Sequence, residues 1–190
     1  MSYGILLFND SETEVLVGMR NHSYRFKDAC EESRLDMLNT YLPNVYPEEY
    51  EILCKKKRGL RCPIKRLLLD ENYIWEAPKG RPKMVRGGKF METGQETAIR
   101  ELREETGIKR KSYSFTDRPP LDFSYTADDN CVYRVVYYHA KVLENVDAIF
   151  KTHHSYELSK LKWASIEDLE LLPQMAVVRH ISSELKSRGG

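Results

Sequence analysis

The chain has 190 residues, of which 41% are hydrophobic and 31% charged, a composition that suits one globular domain or one domain with an insertion. Its 30 basic residues nearly balance its 29 acidic residues, and the net charge of +1 excludes a histone-like polycation and an acidic tail protein. The charge is unevenly distributed, because residues 55–66 hold seven basic side chains and no acid. The rest of the chain therefore carries a net charge of −6.

The sequence has none of the usual signals for a membrane or an oxidising compartment. No apolar run approaches the roughly 20 residues that a membrane span needs, and the first residues lack the basic and apolar regions of a signal peptide. The four cysteines, at positions 30, 54, 62 and 131, lack zinc-site spacing and are expected to be reduced thiols. We therefore expect no membrane partner and a cytoplasmic location, with the nucleus as an alternative.

The first half of the chain predicts three strands and a helical segment. Turn residues separate the two opening strands, Tyr3–Phe8 and Thr13–Met19. Helical patterns interrupted by prolines then occupy about 27–70, at Ala29–Tyr41, Tyr46–Leu53 and Ile64–Leu69. A short strand, Tyr73–Ala77, stops at a proline, and the basic, glycine-containing residues 81–91 predict a surface loop.

The second half predicts one central helix, Thr93–Thr106, in which Thr93 and Glu96 form a capping box and Gly107 ends the helix. Four strands are predicted after it, at Ser112–Thr116, Leu121–Tyr125, Val132–Leu143 and Leu158–Trp163. Two helices are predicted at 166–171 and 174–187. Mixed strands with a central and a terminal helix indicate an α+β fold, an α/β/α sandwich in which residues 1–190 form one domain. A helical insertion lies between the second and third strands.

The strongest functional signal is a group of glutamates on the central helix. Glu101, Glu104 and Glu105 are spaced i, i+3 and i+4, so their carboxylates project from one face. Like charges at this spacing destabilise a helix by a few tenths of a kcal/mol per pair, whereas a hard divalent cation binds several carboxylate oxygens. A solvated acidic face is the alternative. However, the pattern REx₂EExG would occur by chance on the order of 10⁻⁴ times in a chain of this length, which favours a metal site.

This helix resembles the second half of the Nudix box, Gx₅Ex₇REUxEExGU, where U is a bulky aliphatic residue. Glu92 stands eight residues before Arg100, as the box requires, but Arg86 occupies the position of the first glycine. Gly80 follows Pro78 and Lys79 after a short strand, as in the Pro-Lys-Gly form of the box. We therefore align Gly80 with the box and assign six extra residues to the loop. An alternative alignment starts from Gly87-Gly88 and shortens the loop instead.

The resemblance implies a Nudix fold and hydrolysis of a nucleoside diphosphate linked to another group. It implies Mg²⁺ or Mn²⁺ bound by Glu101, Glu104 and Glu105, with Glu92 or the Gly80 carbonyl as further ligands. Glu101 then also counts as a catalytic residue. Arg100 is a second expected catalytic residue, and it is expected to orient the glutamates by ion pairing rather than to touch substrate.

A further carboxylate outside the box commonly serves such sites as ligand or general base. Glu157, just before the predicted strand Leu158–Trp163, has the position that the resemblance implies, although an ordinary surface glutamate is an equal alternative. His153 and His154 are the other candidate bases.

Two short segments narrow the substrate. Tyr73–Gly80 is similar to a segment of diphosphoinositol-polyphosphate and decapping Nudix enzymes, and Arg20–Phe26 resembles the mRNA-decapping Nudix enzymes of large DNA viruses. This resemblance implies removal of the 5′ cap from mRNA, with m7GDP and 5′-monophosphate RNA as products, in the host cytoplasm if the protein is viral. The expected substrate contacts are basic and aromatic: Lys79, Lys55, Lys56, Lys57, Arg58, Tyr24 and Phe26.

Other interpretations remain open on the sequence. The basic stretch is also typical of a solvated helix face or a nuclear signal. The substrate could instead be a diphosphoinositol polyphosphate or a dinucleoside polyphosphate, or the chain could bind cap or RNA without catalysis. Three helical glutamates argue against the last alternative, because a binding module does not need them. We expect capped mRNA as the partner, and neither DNA nor membrane.

Overall fold

The structure, a computed structural model, describes residues 1–42, 45–57, 60, 73–85, 88, 90–126, 130–152, 155–171, 181–183 and 186. The strands are β1 Ser2–Phe8, β2 Glu14–Arg20, β3 Trp75–Glu76, β4 Lys79–Gly80, β5 Tyr113–Phe115, β6 Leu121–Thr126, β7 Val132–Val142 and β8 Leu158–Ser165. The helices are α1 Phe26–Glu31, α2 Leu35–Tyr41, α3 Pro47–Lys56, α4 Gly94–Thr106, α5 Asp147–Thr152 and α6 Ile166–Leu171. No helix within these ranges is long and apolar enough to cross a membrane.

The strands form a mixed sheet in the order β3-β2-β1-β7-β5, with β8 paired to β2, β4 to β1 and β6 to β7. Strand β1 runs parallel to β7 over its whole length, from Ser2 opposite Val135 to Phe8 opposite Lys141. The other pairings are antiparallel, including Gly4 opposite Lys79, which brings β4 beside β1. The mixed sheet and the α+β class are confirmed.

Strand β1 is buried on both of its faces, which explains its continuous apolar run. Ile5 and Leu7 pack in one cluster with Ala98 and Leu102 of α4. Leu6 and Phe8 point the other way, into a cluster that includes Leu169 of α6 and Ile181. Helical residues therefore cover both faces of the sheet, and the sandwich follows from this two-sided burial.

The helices between β2 and β3 have a small core of their own, formed by Ala29, Leu38, Val45 and Leu53. The prediction of one helix over Ala29–Tyr41 is wrong, because α1 ends at Glu31 and α2 begins at Leu35. Glu32 has an extended ψ of 125°, and its carboxylate accepts a hydrogen bond from the Arg34 amide at 2.9 Å. This local bond competes with the helical ladder. The predicted helix at 64–69 lies outside the described residues.

Helix α4 has the predicted ends. The Thr93 Oγ1 accepts from the Glu96 amide at 3.2 Å and the Glu96 carboxylate accepts from the Thr93 amide at 2.8 Å, a capping box. Gly107 ends the helix with φ +76°, where a side chain is disfavoured. Helix α4 packs on β1 with Ala98 and Leu102, and it also contacts β4, the strand that carries Gly80.

Helix α5, which has six residues and no buried side chain, was not predicted from the sequence. Such a short element shows no apolar periodicity. The predicted C-terminal helix falls mostly outside the described residues. Its described residues, 181–183 and 186, are helical.

Candidate active site

Helix α4 directs two buried glutamates and one exposed glutamate toward β4. Glu101 and Glu105 are 7% and 4% exposed, whereas the side chain of Glu104 is 42% exposed. The strand reaches these side chains through Gly80. A Cβ atom built on Gly80 would lie 2.0 Å from Oε1 of Glu101. Any larger residue at position 80 would therefore displace the Glu101 carboxylate or the strand.

Arg100 binds three of the predicted site acids at once. Its Nε and Nη2 donate to the two oxygens of Glu92 at 2.7 and 2.8 Å. Its Nη1 donates to Glu101 at 2.6 Å and to Glu104 at 2.9 Å. The hydrogen bonds from Arg100 are the main cause that lowers the pKa of Glu92 to about 2. Arg100 thus has the geometry of a residue that orients carboxylates.

The loop after β4 also supports these acids. The Lys83 amide donates to Glu92 at 3.0 Å, and the Lys83 ammonium donates to Glu104 at 3.0 Å. Met84 pairs with Met91 in an isolated bridge, and the side chain of Phe90 is 75% exposed. The predicted loop extension therefore folds back on itself beside the carboxylates. Lys83, near the start of the loop, binds both Glu92 and Glu104.

Glu105 differs from its neighbours, because it forms none of the ion pairs found in the described residues. Its carboxylate accepts from the Lys79 amide at 3.2 Å. Burial, followed by the charges of Glu76, Glu157 and Glu101, raises the pKa of Glu105 to about 9. An ionised carboxylate here is costly unless a cation lies next to it.

The donor atoms suit a hard divalent cation. Glu101, Glu104 and Glu105 offer carboxylate oxygens alone, which Mg²⁺ and Mn²⁺ prefer. The described part of the chain contains no ready-made cluster of three acidic, histidine or cysteine ligands. Arg100 and Lys83 bind Oε1 of Glu101 and Oε2 of Glu104, which leaves the second oxygen of each carboxylate for a cation, whereas both oxygens of Glu92 are already held by Arg100.

A second buried cluster centres on Glu76, which was not among the predicted site residues. Its carboxylate is 2% exposed and accepts from Arg20 at 2.5 Å, Tyr24 at 2.7 Å and Lys79 at 2.7 Å. Burial alone would raise the pKa of Glu76, but Lys79 and Arg20 lower it to about 2. The available signal was an acid inside the strand pattern Tyr73–Ala77, since a buried acid requires a cationic partner.

Tyr24 and Lys79 therefore meet at one carboxylate. The Arg20 guanidinium lies 4.5 Å from the centre of the Tyr24 ring, so Tyr24 is held both at its hydroxyl and on its ring. Tyr24 remains 45% exposed. Phe26 stacks on His22 with 5.1 Å between ring centres and packs against the core of the inserted helices.

The predicted basic contacts of the insertion have unequal surroundings. Lys55 and Lys56 are exposed at the end of α3. Lys57 instead donates to the carbonyl oxygens of Cys30 and Glu32, both at 2.7 Å. Lys57 thus braces α3 against the end of α1. The predicted contact Arg58 lies outside the described residues.

Glu157 is exposed immediately before β8, and its carbonyl accepts from the Asn21 amide at 2.8 Å. Its charge contributes to the raised pKa of Glu105 and of Arg20. The structure therefore brings Glu157 to the side of the molecule that holds Glu105. The other candidate bases, His153 and His154, lie outside the described residues.

A glutamate helix that packs on a mixed sheet and meets a Pro-Lys-Gly strand defines a Nudix hydrolase domain. The family model for the NUDIX domain matches residues 56–184. The chain belongs to this family, as the resemblance implied.

The chain is similar to curated viral proteins. It is 25% identical over 164 residues to a putative mRNA-decapping protein of Acanthamoeba polyphaga mimivirus, which covers 78% of this chain and 44% of that protein. It is 29% identical over 105 residues to the mRNA-decapping protein g5R of African swine fever virus, which covers 52% of this chain and 40% of that protein. The chain thus spans less than half the length of these relatives.

Solved structures show the same fold. The C. elegans Ap4A hydrolase in a binary complex has a TM-score of 0.54 at 18% identity, covering 98% of this chain and 99% of that one. The M. smegmatis Nudix hydrolase RenU has a TM-score of 0.50 at 13% identity, covering 99% and 84%. At such low identity the likeness concerns the fold alone.

Proposed function

We propose that this chain removes the 5′ cap from mRNA by metal-dependent hydrolysis, with m7GDP and 5′-monophosphate RNA as products. Membership of the NUDIX domain family and similarity to two viral proteins named for mRNA decapping support this proposal. Its site of action is then the cytoplasm, where capped messages are translated.

One structural observation carries the choice of an extended substrate. The segment Arg20–Phe26, which leads into the inserted helices, is anchored to Glu76 by Arg20 and Tyr24. The same Glu76 binds the ammonium of Lys79, and the Lys79 amide binds the carboxylate of Glu105. The insertion is therefore docked beside the glutamate helix. Hydrolysis of a pyrophosphate by itself would require only the glutamates. A cap joined to RNA has further groups on both sides of its phosphates, and the docked insertion offers a surface for them.

In this proposal Glu101, Glu104 and Glu105 bind Mg²⁺ or Mn²⁺, with the Gly80 carbonyl as a further donor. The metal supplies charge neutralisation on the phosphate oxygens and a water with a lowered pKa. Arg100 holds Glu101 and Glu104 at their places on α4. Glu92 anchors Arg100 rather than binding the cation, because Arg100 occupies both of its oxygens.

Glu157 is the proposed general base or additional ligand, because it immediately precedes β8 and its charge acts on Glu105 of the glutamate helix. Tyr24 and Phe26 are the proposed aromatic contacts of the cap. Both rings are fixed before a ligand binds, Tyr24 by Glu76 and Phe26 by His22, and a fixed ring loses little conformational freedom on binding. Lys55 and Lys56 remain proposed contacts of the RNA.

The test compares four substrates with Mg²⁺ or Mn²⁺: RNA with a labelled cap, the free cap dinucleotide, a diphosphoinositol polyphosphate and diadenosine tetraphosphate. We expect release of m7GDP from capped RNA at the highest kcat/KM. The Glu104→Gln variant should release none, and Glu167→Gln, which changes an exposed glutamate of α6, should match the wild type.

Faster hydrolysis of the inositol or adenosine compound would assign the chain to that substrate instead. Tight binding of capped RNA without any released nucleotide would identify a non-catalytic binding module.

A further inference from the structure

The outer face of helix α4 borders an open cavity of about 660 Å³, here called the α4 cavity. Its walls combine residues of the helix with the segment that joins the helix to β5: Ile99, Arg100, Arg103, Lys109, Arg110 and Lys111, together with Glu96. Arg103 and Glu105 are two positions apart, so they project from nearly opposite sides of the helix. The cavity is therefore distinct from the carboxylate side of α4.

Cationic residues surround the α4 cavity, although its wall is itself mostly apolar. Five cationic side chains line it and only one carboxylate, Glu96, does so. That carboxylate already accepts from the amide and the hydroxyl of Thr93, each at 2.8 Å. Across the described part of the chain, no ion pair involves Arg103, Lys109 or Lys111, and all three are exposed. Since the whole chain is nearly neutral, this accumulation of cations without partners marks a surface for an anionic ligand.

The cavity wall is also rigid. Arg110 donates to the Tyr113 carbonyl at 2.7 Å, and its guanidinium lies 5.1 and 5.0 Å from the ring centres of Tyr113 and Phe115. The Ser112 amide donates to the Lys109 carbonyl at 2.9 Å and closes a short 3-10 helix. The cations at 109–111 are therefore carried on a fixed turn rather than on a free loop.

Arg100 connects the cavity with the active site, because it lines the cavity and also binds Glu92, Glu101 and Glu104. A polymeric ligand that extends from the glutamates on this side would pass Arg100 and enter the cavity. The half-buried Ile99 adds an apolar surface beside the cations, which suits a ribose or a base. Cations spread over the helix end and the next turn fit successive phosphates of a strand better than one compact phosphate.

We infer that the α4 cavity binds the phosphate backbone of the substrate RNA immediately downstream of the cap. This inference rests on the proposed function, since it concerns the path of the RNA from the same site. It adds a second basic surface to Lys55 and Lys56 of the insertion.

The experiment removes three charges together in the variant Arg103→Ala/Lys109→Ala/Lys111→Ala and keeps Arg110, which packs on Tyr113. The matched control removes three other exposed cations, Lys27, Lys151 and Lys160. Binding of a capped 30-nucleotide RNA is measured with EDTA present over a series of salt concentrations, and hydrolysis of the free cap dinucleotide is measured with Mg²⁺. Thermal melting of each variant reports folding.

The slope of log affinity against log salt falls by roughly 0.7 for each phosphate of a single strand that the protein no longer neutralises. We therefore expect a slope smaller by about 2 in the triple variant and an affinity reduced roughly tenfold or more near 0.1 M salt. Hydrolysis of the cap dinucleotide should stay within about twofold of the wild type, because this substrate has no RNA body. RNA carrying 4-thiouridine near the cap should cross-link to the peptide that contains residues 109–111.

An unchanged slope and affinity in the triple variant would overturn the inference, as would equal losses with RNA and cap dinucleotide or cross-links confined to the insertion. Failure of the wild type to release m7GDP from capped RNA would instead contradict the proposed function. The two failures are distinguishable, because the first is seen in the variant and the second in the unmodified protein.

Discussion

Arg100 donates two parallel hydrogen bonds to the Glu92 carboxylate, from Nε at 2.7 Å and from Nη2 at 2.8 Å. Such a bidentate pair fixes the plane of the guanidinium as well as its position. The remaining nitrogen, Nη1, is thereby aimed at Glu101 and Glu104. The relationship between Glu92 and Arg100 therefore sets the orientation of two proposed metal ligands.

Arg100→Lys should reduce kcat on the cap dinucleotide by at least tenfold, because an ammonium cannot bind both oxygens of Glu92 while reaching the other acids. The matched control is Arg103→Lys, which changes an exposed arginine of the same helix. We expect that control to retain the wild-type rate with this short substrate. Equal rates for Arg100→Lys and Arg103→Lys would contradict the orienting role.

Glu101→Gln and Glu104→Gln should each abolish turnover at saturating Mg²⁺, because each removes a negative charge from the proposed metal site. Folding should be preserved, since neither substitution changes the size of the side chain. Steady-state kinetics and circular dichroism together check both statements. Full activity in both variants would exclude the metal-site assignment, and full activity in Glu101→Gln alone would reduce the number of ligands.

Glu105→Gln should stabilise the metal-free protein in a manner that depends on pH. The pKa of Glu105 rises from 4.5 to about 9 on folding, so below pH 4.5 both states carry the proton and the glutamate has no net cost. As the pH rises above 4.5 the unfolded state ionises first, and the folded state loses stability until about pH 9.

The measurement for Glu105→Gln is thermal melting in EDTA at pH 5 and pH 8. The gain of the variant should be small at pH 5 and several degrees at pH 8, while its activity with Mg²⁺ is abolished. A gain that is equal at both pH values would show that Glu105 ionises normally in the folded protein.

Glu76→Gln should lower the free energy of unfolding by about 3–5 kcal/mol, because it leaves the cations of Arg20 and Lys79 buried without their partner. Tyr24→Phe removes one hydrogen bond from the same carboxylate and should cost about 1 kcal/mol. Urea denaturation at pH 7 checks both variants. Since folding lowers the pKa of Glu76 from 4.5 to about 2, its contribution should disappear as the pH falls through that interval.

Gly80→Ala should reduce kcat at least tenfold, because the new Cβ would lie 2.0 Å from the Glu101 carboxylate. Gly88→Ala is the control, because a Cβ atom at this position would meet no neighbouring atom. Gly88 has φ +69° and open space around its Cβ position, so the alanine should cost about 1 kcal/mol in stability and leave the rate unchanged. If Gly80→Ala retained the wild-type rate, the close approach of β4 to α4 would be unimportant for catalysis.

Features of this protein that depend on near neighbours along the chain could be predicted from the sequence. The capping box of Thr93 and Glu96, the glycine stop at Gly107 and the glutamates of α4 all lie within one helix, where each signal acts over about four positions. The apolar run of β1 likewise predicted a strand. From these features the fold class and the family could be predicted.

Contacts between distant residues became known only from the folded structure. Glu76 binds Arg20 across 56 positions of the chain, Gly80 touches Glu101 from another element, and Lys57 caps carbonyl oxygens of α1 instead of remaining free. Periodicity describes one element at a time and carries no information on such contacts. For that reason the sequence predicted acids for the metal site but not the buried carboxylate at Glu76, whose ionisation depends on two cations brought to it by folding.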